Sequence, residues 1–236
     1  MIDEPDAVRA CQKAVALCRS GGADALMKGA VSTATILSAV LNGDGGLKTG
    51  RTLSHATVFR PRGFRRLLIL ADAGVNIAPD VDCKFEIIRG CVELAHSLGI
   101  ARPRVALLAA SEKVTEKLPS TMDAAEIIES FRDRCGEVAY VGGPYALDVA
   151  VSRDAAQLKG LHDEVAGRAD ILLVPNIEAG NILYKALTCF AGLDLASIVL
   201  GAAAPLVIPS RADSSRTKLY SIALARHVAR AKAFRP

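Results

Sequence analysis

Short apolar runs alternate with amphipathic helical segments along the chain, and this alternation restricts the possible folds more than any other feature of the sequence. The runs are rich in Val, Ile and Leu and are bounded by Gly, Pro and polar residues, which is typical of buried parallel strands. The sequence therefore predicts an α/β fold with a largely parallel sheet. The predicted strands are Ala25–Met27, Leu53–Phe59, Leu67–Ala71, Val105–Ala109, Val138–Val141, Ile171–Val174, Ser197–Leu200 and Leu206–Ile208.

Helical periods separate these strands, and polar residues that can cap a helix precede several of them. Apolar residues recur at intervals of three and four within each segment, as on one face of an α-helix. The predicted helices are Pro5–Ser20, a segment capped by Ser32 or Thr33, Val81–Leu98, a segment from Thr121 to about Arg134, Ser152–Gly160, Ile182–Phe190, and a segment that begins at Asp213 or Ser214.

Charge and hydropathy narrow the classes of partner. The net charge of +4 is mild, and the basic residues are spread over helix ends and loops, which favours small anionic ligands over nucleic acid. No apolar run reaches the roughly 18 to 20 residues that a membrane span needs, and the acidic N-terminus lacks the pattern of a signal peptide. We therefore expect a cytoplasmic protein with no nucleic-acid or membrane partner.

The cysteines and histidines do not form a metal-binding pattern. The six cysteines have no C-x-x-C spacing and no histidine cluster beside them, and the four histidines are scattered. The sequence therefore predicts reduced, buried thiols and no metal site.

A strand-to-helix junction near the C-terminus is a candidate anion site. Ser210 and Arg211 follow the predicted strand Leu206–Ile208, and a helix begins directly after them. The free N–H groups and the dipole of a helix N-terminus favour phosphate, which Arg211 can bind through two hydrogen bonds. An ordinary capped connection is the alternative from these residues alone.

Two further segments could contact phosphate. Lys28 lies at a second strand-to-helix junction, the place where open α/β sheets bind ligands. Arg51 belongs to a glycine-rich loop that also carries Lys48 and several hydroxyl groups. Basic turn residues are usually only solvated, which remains the alternative for this loop.

Six segments, taken together and in order across residues 23 to 225, resemble the phosphate acetyl/butyryl transferase family, closest to its phosphotransbutyrylase branch. The segments are Ala25-Leu-Met-Lys-Gly, Thr49-Gly-Arg-Thr-Leu-Ser-His, Asp72-Ala-Gly-Val-Asn-Ile-Ala-Pro-Asp, Gly143-Pro-Tyr-Ala-Leu-Asp, Ala169-Asp-Ile-Leu-Leu-Val-Pro-Asn-Ile-Glu-Ala-Gly-Asn-Ile-Leu-Tyr-Lys and Pro209-Ser-Arg-Ala-Asp-Ser-Ser-Arg-Thr-Lys-Leu-Tyr-Ser-Ile-Ala-Leu-Ala.

The resemblance implies an activity and an architecture. The activity is reversible transfer of a short-chain acyl group, acetyl or butyryl, in which acyl-CoA and inorganic phosphate give acyl phosphate and coenzyme A. Coenzyme A is then a substrate, and no cofactor is bound permanently. The implied fold is isocitrate/isopropylmalate dehydrogenase-like, with two α/β lobes of mostly parallel sheet around a cleft, in a homodimer. The turns Arg60–Gly63 and Gly201–Pro205 suggest lobes of residues 1–60 with 205–236 and of residues 61–204.

By this resemblance, Ser210 and Arg211 match the active-site Ser-Arg pair of the family. Arg211 would bind phosphate or acyl phosphate, and Ser210 would hydrogen-bond the reacting groups. Such a transfer needs two anionic reactants held in line and a stabilised carbonyl oxygen, without a metal or a covalent enzyme intermediate. Arg51 and Lys28 are candidates for additional phosphate contacts.

The general base does not carry over from the family residue by residue. The acetyl-specific branch has an acidic residue seven positions after the serine, and here that position is Thr217. Asp213 is a candidate substitute, with a role as N-cap as the alternative. Glu178 and Asn181 are expected at another helix opening, either facing the cleft or acting as capping and turn residues.

Three further residues are candidates for binding phosphate or coenzyme A. Ser54 and His55 form a candidate pair, but no partner acid is identifiable, so a structural or phosphate-binding histidine is favoured. Lys185 could meet the phosphates of coenzyme A, although solvated helix lysines are commoner.

Two rival functions remain from the sequence. Members of the family carry an additional N-terminal α/β portion before the helix that is predicted to begin at Pro5, so a non-catalytic acyl-CoA-binding, phosphate-binding or oligomerisation module is the alternative. A dehydrogenase of the same broad fold would need a cluster of aspartates and a nucleotide loop, and neither is evident.

Overall fold

The computed structural model describes residues 2–43 and 45–233. In chain order the elements are α1 (Ala7–Arg19), β1 (Leu26–Met27), α2 (Thr33–Leu41), β2 (Ser54–Phe59), β3 (Leu68–Ala71), α3 (Val81–Ser97), β4 (Arg104–Leu108), α4 (Pro119–Cys135), β5 (Tyr140–Tyr145), α5 (Leu147–Val151), α6 (Arg153–Leu158), β6 (Ile171–Leu173), α7 (Ile177–Cys189), β7 (Ala196–Leu200), β8 (Leu206–Val207) and α8 (Ser215–Ala233). None of the helices in this part of the chain is long and apolar enough to cross a membrane.

The chain divides into two compact units. Unit 1 contains Met1–Leu53 and Asp194–Pro236, and unit 2 contains Ser54–Leu193. Both units combine strands with helices, so the predicted α/β class is confirmed.

In unit 1, strand β8 lies between β1 and β7. Strands β1 and β8 are parallel, with Leu26 opposite Leu206 and Met27 opposite Val207. Strands β7 and β8 are antiparallel, with Val199 opposite Leu206. Because β1 and β8 run in the same direction, the residues that follow them emerge at the same edge of the sheet.

Helix α8 is fastened to the strand β7 region by two buried hydroxyl groups. Thr217 Oγ1 accepts a hydrogen bond from the N–H of Leu195 at 3.2 Å, and Ser221 Oγ accepts one from the N–H of Ser197 at 2.9 Å. The two hydroxyls are one helical turn apart, so they lie on the same face of α8. They satisfy backbone donors that would otherwise be buried without partners.

In unit 2 the strand order is β2-β3-β6-β4-β5. Strands β3, β6, β4 and β5 are parallel, and β2 is antiparallel to β3. Residues of β3 and β6, such as Ile69, Leu70 and Ile171, are completely or almost completely buried. The chain therefore contains mixed pairing, with mostly parallel pairs and one antiparallel pair in each unit.

The two turns that suggested lobe boundaries have another role in the structure. Residues 60–63 lie in the connection between the antiparallel strands β2 and β3, and residues 201–205 connect the antiparallel strands β7 and β8. Each turn thus joins two strands of one unit, and the units instead meet in sequence after Leu53 and after Leu193. The predicted lobes, residues 1–60 with 205–236 and residues 61–204, stay a prediction.

Helix α7 begins five residues earlier than the predicted start at Ile182. The side chain of Asn176 caps this helix by accepting a hydrogen bond from the N–H of Ala179 at 3.0 Å. Glu178 therefore lies in the first turn of α7 and Asn181 in the second, instead of in a loop before the helix.

Two other helix starts also differ from the predictions. Thr121 is not an N-cap, because α4 begins at Pro119 and the Thr121 hydroxyl donates to the carbonyl of Leu118 at 2.7 Å. The predicted helix Ser152–Gly160 corresponds to α6, which Ser152 caps, and the separate short helix α5 precedes it.

Candidate active site

A tight turn at the end of β8 carries the predicted Ser-Arg pair. The backbone N–H of Ser210 donates to the Asp213 carboxylate at 2.7 Å, and the N–H of Asp213 donates to the Ser210 carbonyl at 3.2 Å. Ser214 rather than Asp213 caps α8, since its hydroxyl oxygen accepts from the N–H of Thr217 at 3.0 Å. The Asp213 carboxylate therefore holds the shape of the turn that presents Ser210 and Arg211.

Arg211 is the exposed member of this turn. Among the residues that the structure describes, no group forms a hydrogen bond or ion pair with its guanidinium. Arg211 stands a few residues before the N-terminus of α8, where backbone N–H groups and the helix dipole also favour an anion. The guanidinium is therefore free to bind a phosphate group through two parallel hydrogen bonds.

Lys28 is a buried cation at the same edge of unit 1. It directly follows β1, is 7% exposed, and its ammonium donates to the carbonyls of Gly29 at 3.2 Å and Val31 at 3.1 Å. No carboxylate in the described ranges lies within ion-pair distance of it. An ammonium group has three donors, and a buried charge is unfavourable without a counter-charge. Since β1 and β8 are parallel, Lys28 and Ser210 follow strands that end at the same edge of unit 1, and an anion bound at this edge would compensate the charge of Lys28.

The loop that contains Arg51 is anchored elsewhere in unit 1. The Thr49 hydroxyl donates to the carbonyl of Gly201, and the N–H of Arg51 donates to the Thr49 hydroxyl at 3.3 Å. A Cβ atom at Gly201 would lie 2.2 Å from the carbonyl oxygen of Thr52, so only glycine allows this close approach. Gly201 precedes β8 whereas Ser210 follows it, so the backbone of this loop is anchored at the other end of β8. A contact between Arg51 and phosphate stays a prediction.

In unit 2, strand β2 begins at the predicted pair Ser54 and His55. Ser54 is 2% exposed, so its hydroxyl lies in the interior. The half-buried His55 ring packs edge-on against the Tyr184 ring, with 6.0 Å between the ring centroids. A Cβ atom at Gly74 would lie 3.4 Å from Cγ of His55, so the loop after β3 also packs against the imidazole. These contacts describe a packed histidine, and a role of the pair in phosphate binding stays a prediction.

Three predicted residues share one face of α7. Glu178, Asn181 and Lys185 are spaced by three and four residues, so their side chains lie along the same side of the helix. Glu178 and Asn181 are exposed, and the ammonium of Lys185 lies 5.1 Å from the centroid of the Tyr184 ring. The face combines a carboxylate, an amide and an ammonium, a set that suits a polar ligand.

The loop after β3 is organised by Asp72. Its buried carboxylate accepts hydrogen bonds from the N–H groups of Gly74, Val75 and Asn76 and from the Asn76 side-chain amide, at 2.6 to 3.2 Å. A Cβ atom at Gly180 would lie 2.3 Å from the Asp72 carbonyl oxygen, so α7 packs closely on this loop. Asp72 thus acts as a turn residue that fixes the loop on which α7 packs.

Thr217, the position of the acidic residue in the acetyl-specific branch, is 3% exposed and makes structural hydrogen bonds. Lys84, which was not predicted as a buried residue, lies in the interior on α3 and pairs with the carboxylate of Asp123 on α4. Its signal is its spacing of three, four and seven residues from Ile87, Ile88 and Cys91, which places a lysine on the inward face of α3.

The described part of the chain holds no group of three His, Cys, Asp or Glu residues arranged to bind a metal ion. Its cysteines are all free thiols, and burial raises the pKa of Cys11, Cys18, Cys83, Cys91 and Cys135 above the ordinary value. Such thiols are poor nucleophiles at neutral pH.

An α/β unit that sets a Ser-Arg turn beside a buried lysine, ahead of a helix N-terminus, is typical of phosphate-binding enzymes. The chain belongs to the phosphate acetyl/butaryl transferase family, whose model matches residues 6–226.

Individual relatives agree with this assignment. The chain is 47% identical to the phosphate butyryltransferase of Clostridium acetobutylicum, over 97% of this chain and 76% of that protein. It is 42% identical to a phosphate acetyltransferase of Rhizobium meliloti, over 95% of this chain and 71% of that protein. Its structure is similar to a crystal structure of a branched-chain phosphotransacylase from Enterococcus faecalis V583, with a TM-score of 0.90 and 35% identity, over 97% of this chain and 82% of that one.

Proposed function

We propose that this chain transfers a short-chain acyl group, acetyl or butyryl, reversibly between coenzyme A and inorganic phosphate. Membership of the family and the names of its relatives support this reaction. The observation that carries the proposal is the arrangement at one edge of unit 1, where the exposed Arg211 and the buried Lys28 follow neighbouring parallel strands.

In the proposed reaction, an oxygen of phosphate attacks the thioester carbonyl of acyl-CoA. The carbon–oxygen bond forms, the carbon–sulfur bond breaks, and coenzyme A leaves as the thiolate. Arg211 holds two oxygens of the phosphate through its planar guanidinium, and Lys28 adds a positive charge beside it. The Ser210 hydroxyl hydrogen-bonds the reacting groups, so that the two anionic reactants are held in line.

In this proposal Asp213 is a positioning residue. Its carboxylate accepts the N–H of Ser210, which fixes the turn in front of α8. The reverse reaction needs a base for the coenzyme A thiol, and Asp213 remains the candidate nearest in sequence to Ser210.

The residues of unit 2 are proposed for coenzyme A. The shared face of Glu178, Asn181 and Lys185 supports this role, because an ammonium and an amide on one side of a helix suit phosphate and amide groups. Arg51, Ser54 and His55 remain candidates for contacts with phosphate or coenzyme A.

We also propose an isocitrate/isopropylmalate dehydrogenase-like fold, a homodimer and a cytoplasmic location. The sequence resemblance supports both the fold class and the dimer. The combination of strands and helices in each unit also supports the fold class. Light scattering of the purified protein tests the dimer.

The decisive experiment measures release of coenzyme A from acetyl-, propionyl- and butyryl-CoA, with and without phosphate, for the unmodified chain and for Arg211→Ala. We expect phosphate-dependent release that falls by about a hundredfold in Arg211→Ala, since two charge-assisted hydrogen bonds are lost. Arg226→Ala is the matched control, because Arg226 is an exposed arginine of α8 and should keep full activity. If coenzyme A binds but none of the three acyl-CoA substrates releases it, the chain is a non-catalytic binding module.

A further inference from the structure

We propose that unit 2 contains a second phosphate-binding site, formed by Arg153 and Arg168 at the amino ends of its parallel strands. The ligand is a phosphate group, either free inorganic phosphate or the end of a phosphomonoester. This site lies outside the set of residues assigned above to acyl transfer.

The location follows from the strand register. Arg66 lies just before β3, Arg104 begins β4, and Asp170 immediately precedes β6. Strands β3 and β4 both pair with β6 in parallel, so these three residues gather at one edge of the sheet. This is the amino edge, opposite the carboxyl edge where α/β sheets usually carry out their chemistry.

Positive charge at this edge exceeds the negative charge. Asp170 is 6% exposed, and its carboxylate accepts the N–H of Arg104 at 3.0 Å and lies 3.6 Å from the Arg104 guanidinium. The Nε of Arg66 donates to the carbonyl of Ala169 at 3.1 Å, while its buried Nη2 has no hydrogen-bond partner within the described ranges. Burial lowers the pKa of Arg66, and the nearby charges of Arg153 and Arg104 lower it further, against the opposite effect of Asp170. The Arg66 guanidinium thus meets the positive charges of Arg104 and Arg153 against the single negative charge of Asp170, and an additional anion would relieve this repulsion.

A hollow of about 100 Å³ is lined by Arg153, whose charge acts on Arg66. This volume can hold a single phosphate group. The polar residues that line the hollow are Arg153, Gln157, His162, Asp163 and Arg168.

The acidic residue of the lining is already occupied. Asp163 accepts hydrogen bonds from the N–H groups of Val165 at 2.7 Å and Ala166 at 2.9 Å, and from the hydroxyl of Tyr145 at 2.5 Å. With its oxygens turned to these donors, Asp163 keeps its negative charge but forms no ion pair with Arg153 or Arg168.

The cations of the lining are weakly partnered. Arg153 forms no hydrogen bond or ion pair with any described residue, and Arg168 reaches only Glu164, at 3.8 Å. A Cβ atom at Gly167 would lie 2.6 Å from the Cα of Arg153, so the segment before Arg168 runs directly against Arg153. The backbone therefore holds the two arginines together, and their guanidinium groups can share one phosphate.

The test is equilibrium dialysis of the full chain against radiolabelled inorganic phosphate and, separately, against glycerol phosphate, for the unmodified chain and for Arg153→Ala/Arg168→Ala. We expect the double variant to lose one class of sites, with affinity at least about tenfold weaker there. Arg226→Ala/Arg230→Ala, which removes the same charge from exposed positions of α8, should bind as the unmodified chain does.

The two ligands identify the source of the phosphate group. Loss of inorganic phosphate binding supports a site for free phosphate, and loss of glycerol phosphate binding alone supports a phosphomonoester. Unchanged binding of both ligands in the double variant overturns the proposal. Arg153→Gln, a change at an exposed residue, provides a second test if the double variant is poorly folded.

This test is independent of the transferase activity. Arg211→Ala abolishes phosphate binding at the proposed active site. Any phosphate-binding sites that remain in this variant can therefore be counted, and their dependence on Arg153 can be tested separately. A chain without acyl transfer that still shows Arg153-dependent phosphate binding would refute the proposed function and leave this site standing.

Discussion

The backbone N–H of Ser210 and the carboxylate of Asp213 are joined by a hydrogen bond of 2.7 Å. The bond closes the turn between β8 and α8, in which Arg211 is exposed and Ser210 is half-buried. A residue that shapes a turn and a residue that accepts a proton from substrate respond differently to substitution, which allows the role of Asp213 to be tested.

We expect Asp213→Asn to keep transferase activity within about fivefold, because the amide oxygen can still accept the N–H of Ser210. Asp213→Ala removes the acceptor and should lower kcat by about tenfold or more, the usual effect of losing a charge-assisted hydrogen bond. The measurement is kcat against pH for both variants, with Asp154→Ala, an exposed carboxylate of α6, as the control. An equal loss in both Asp213 variants, with the acidic limb of the pH profile removed, would make Asp213 the general base instead.

Lys28→Met should raise the KM for phosphate by about tenfold or more, because it removes a buried charge beside the proposed phosphate position. The KM for coenzyme A should change much less. Lys113→Met, at an exposed lysine of unit 2, should change neither. Equal increases of the two KM values would show that Lys28 supports the fold of the site rather than phosphate binding.

Thr217→Val should lower the free energy of unfolding by about 1 to 3 kcal/mol, because it keeps the shape of the side chain but leaves the buried N–H of Leu195 without its acceptor. Urea denaturation measures this change. Ser215→Ala, at an exposed hydroxyl of the same helix, should stay within about 0.5 kcal/mol of the unmodified chain. If Thr217→Val leaves the free energy of unfolding unchanged, a water molecule accepts the N–H of Leu195 in place of the lost hydroxyl.

The hydrogen bond between Tyr145 and Asp163 should make stability depend on pH. Burial raises the pKa of Asp163, but the hydrogen bonds from Tyr145, Ala166 and Val165 outweigh it and hold the pKa below its ordinary value. A carboxyl group with a depressed folded-state pKa stabilises the fold above its unfolded pKa of about 4. This contribution is lost as pH falls through the folded-state pKa.

Tyr145→Phe removes one of these bonds, so we expect it to cost about 1 to 3 kcal/mol near pH 7 and less as the pH falls below about 4. Urea denaturation at a series of pH values measures the difference. Tyr140→Phe is the control, since the Tyr140 hydroxyl accepts from Arg102, which keeps its charge throughout this range. A difference for Tyr145→Phe that is constant with pH would contradict the coupling to Asp163.

Much of the secondary structure could be predicted from the sequence, because local patterns specify it. All eight predicted strands correspond to strands of the structure, since short apolar runs between Gly and Pro have few other stable conformations. The start of α7 was missed because its cap, Asn176, lies in a segment of turn-forming residues that reads equally well as a loop. Local patterns also do not specify which strands pair. The structure was needed to show that β2 is antiparallel to β3 and that β7 is antiparallel to β8.

The sequence by itself determined the α/β class, the order of the elements and the candidate Ser210-Arg211 pair, because spacing and motif are local properties of the chain. Only the tertiary structure decided which of the candidates lie together. The parallel pairing of β1 with β8 brings the segments that carry Lys28 and Ser210 to the same edge of the sheet, while the loop of Arg51 is anchored at the other end of β8. Register between strands that are distant in the chain depends on the packing of the whole unit, so no local pattern could have assigned these neighbours.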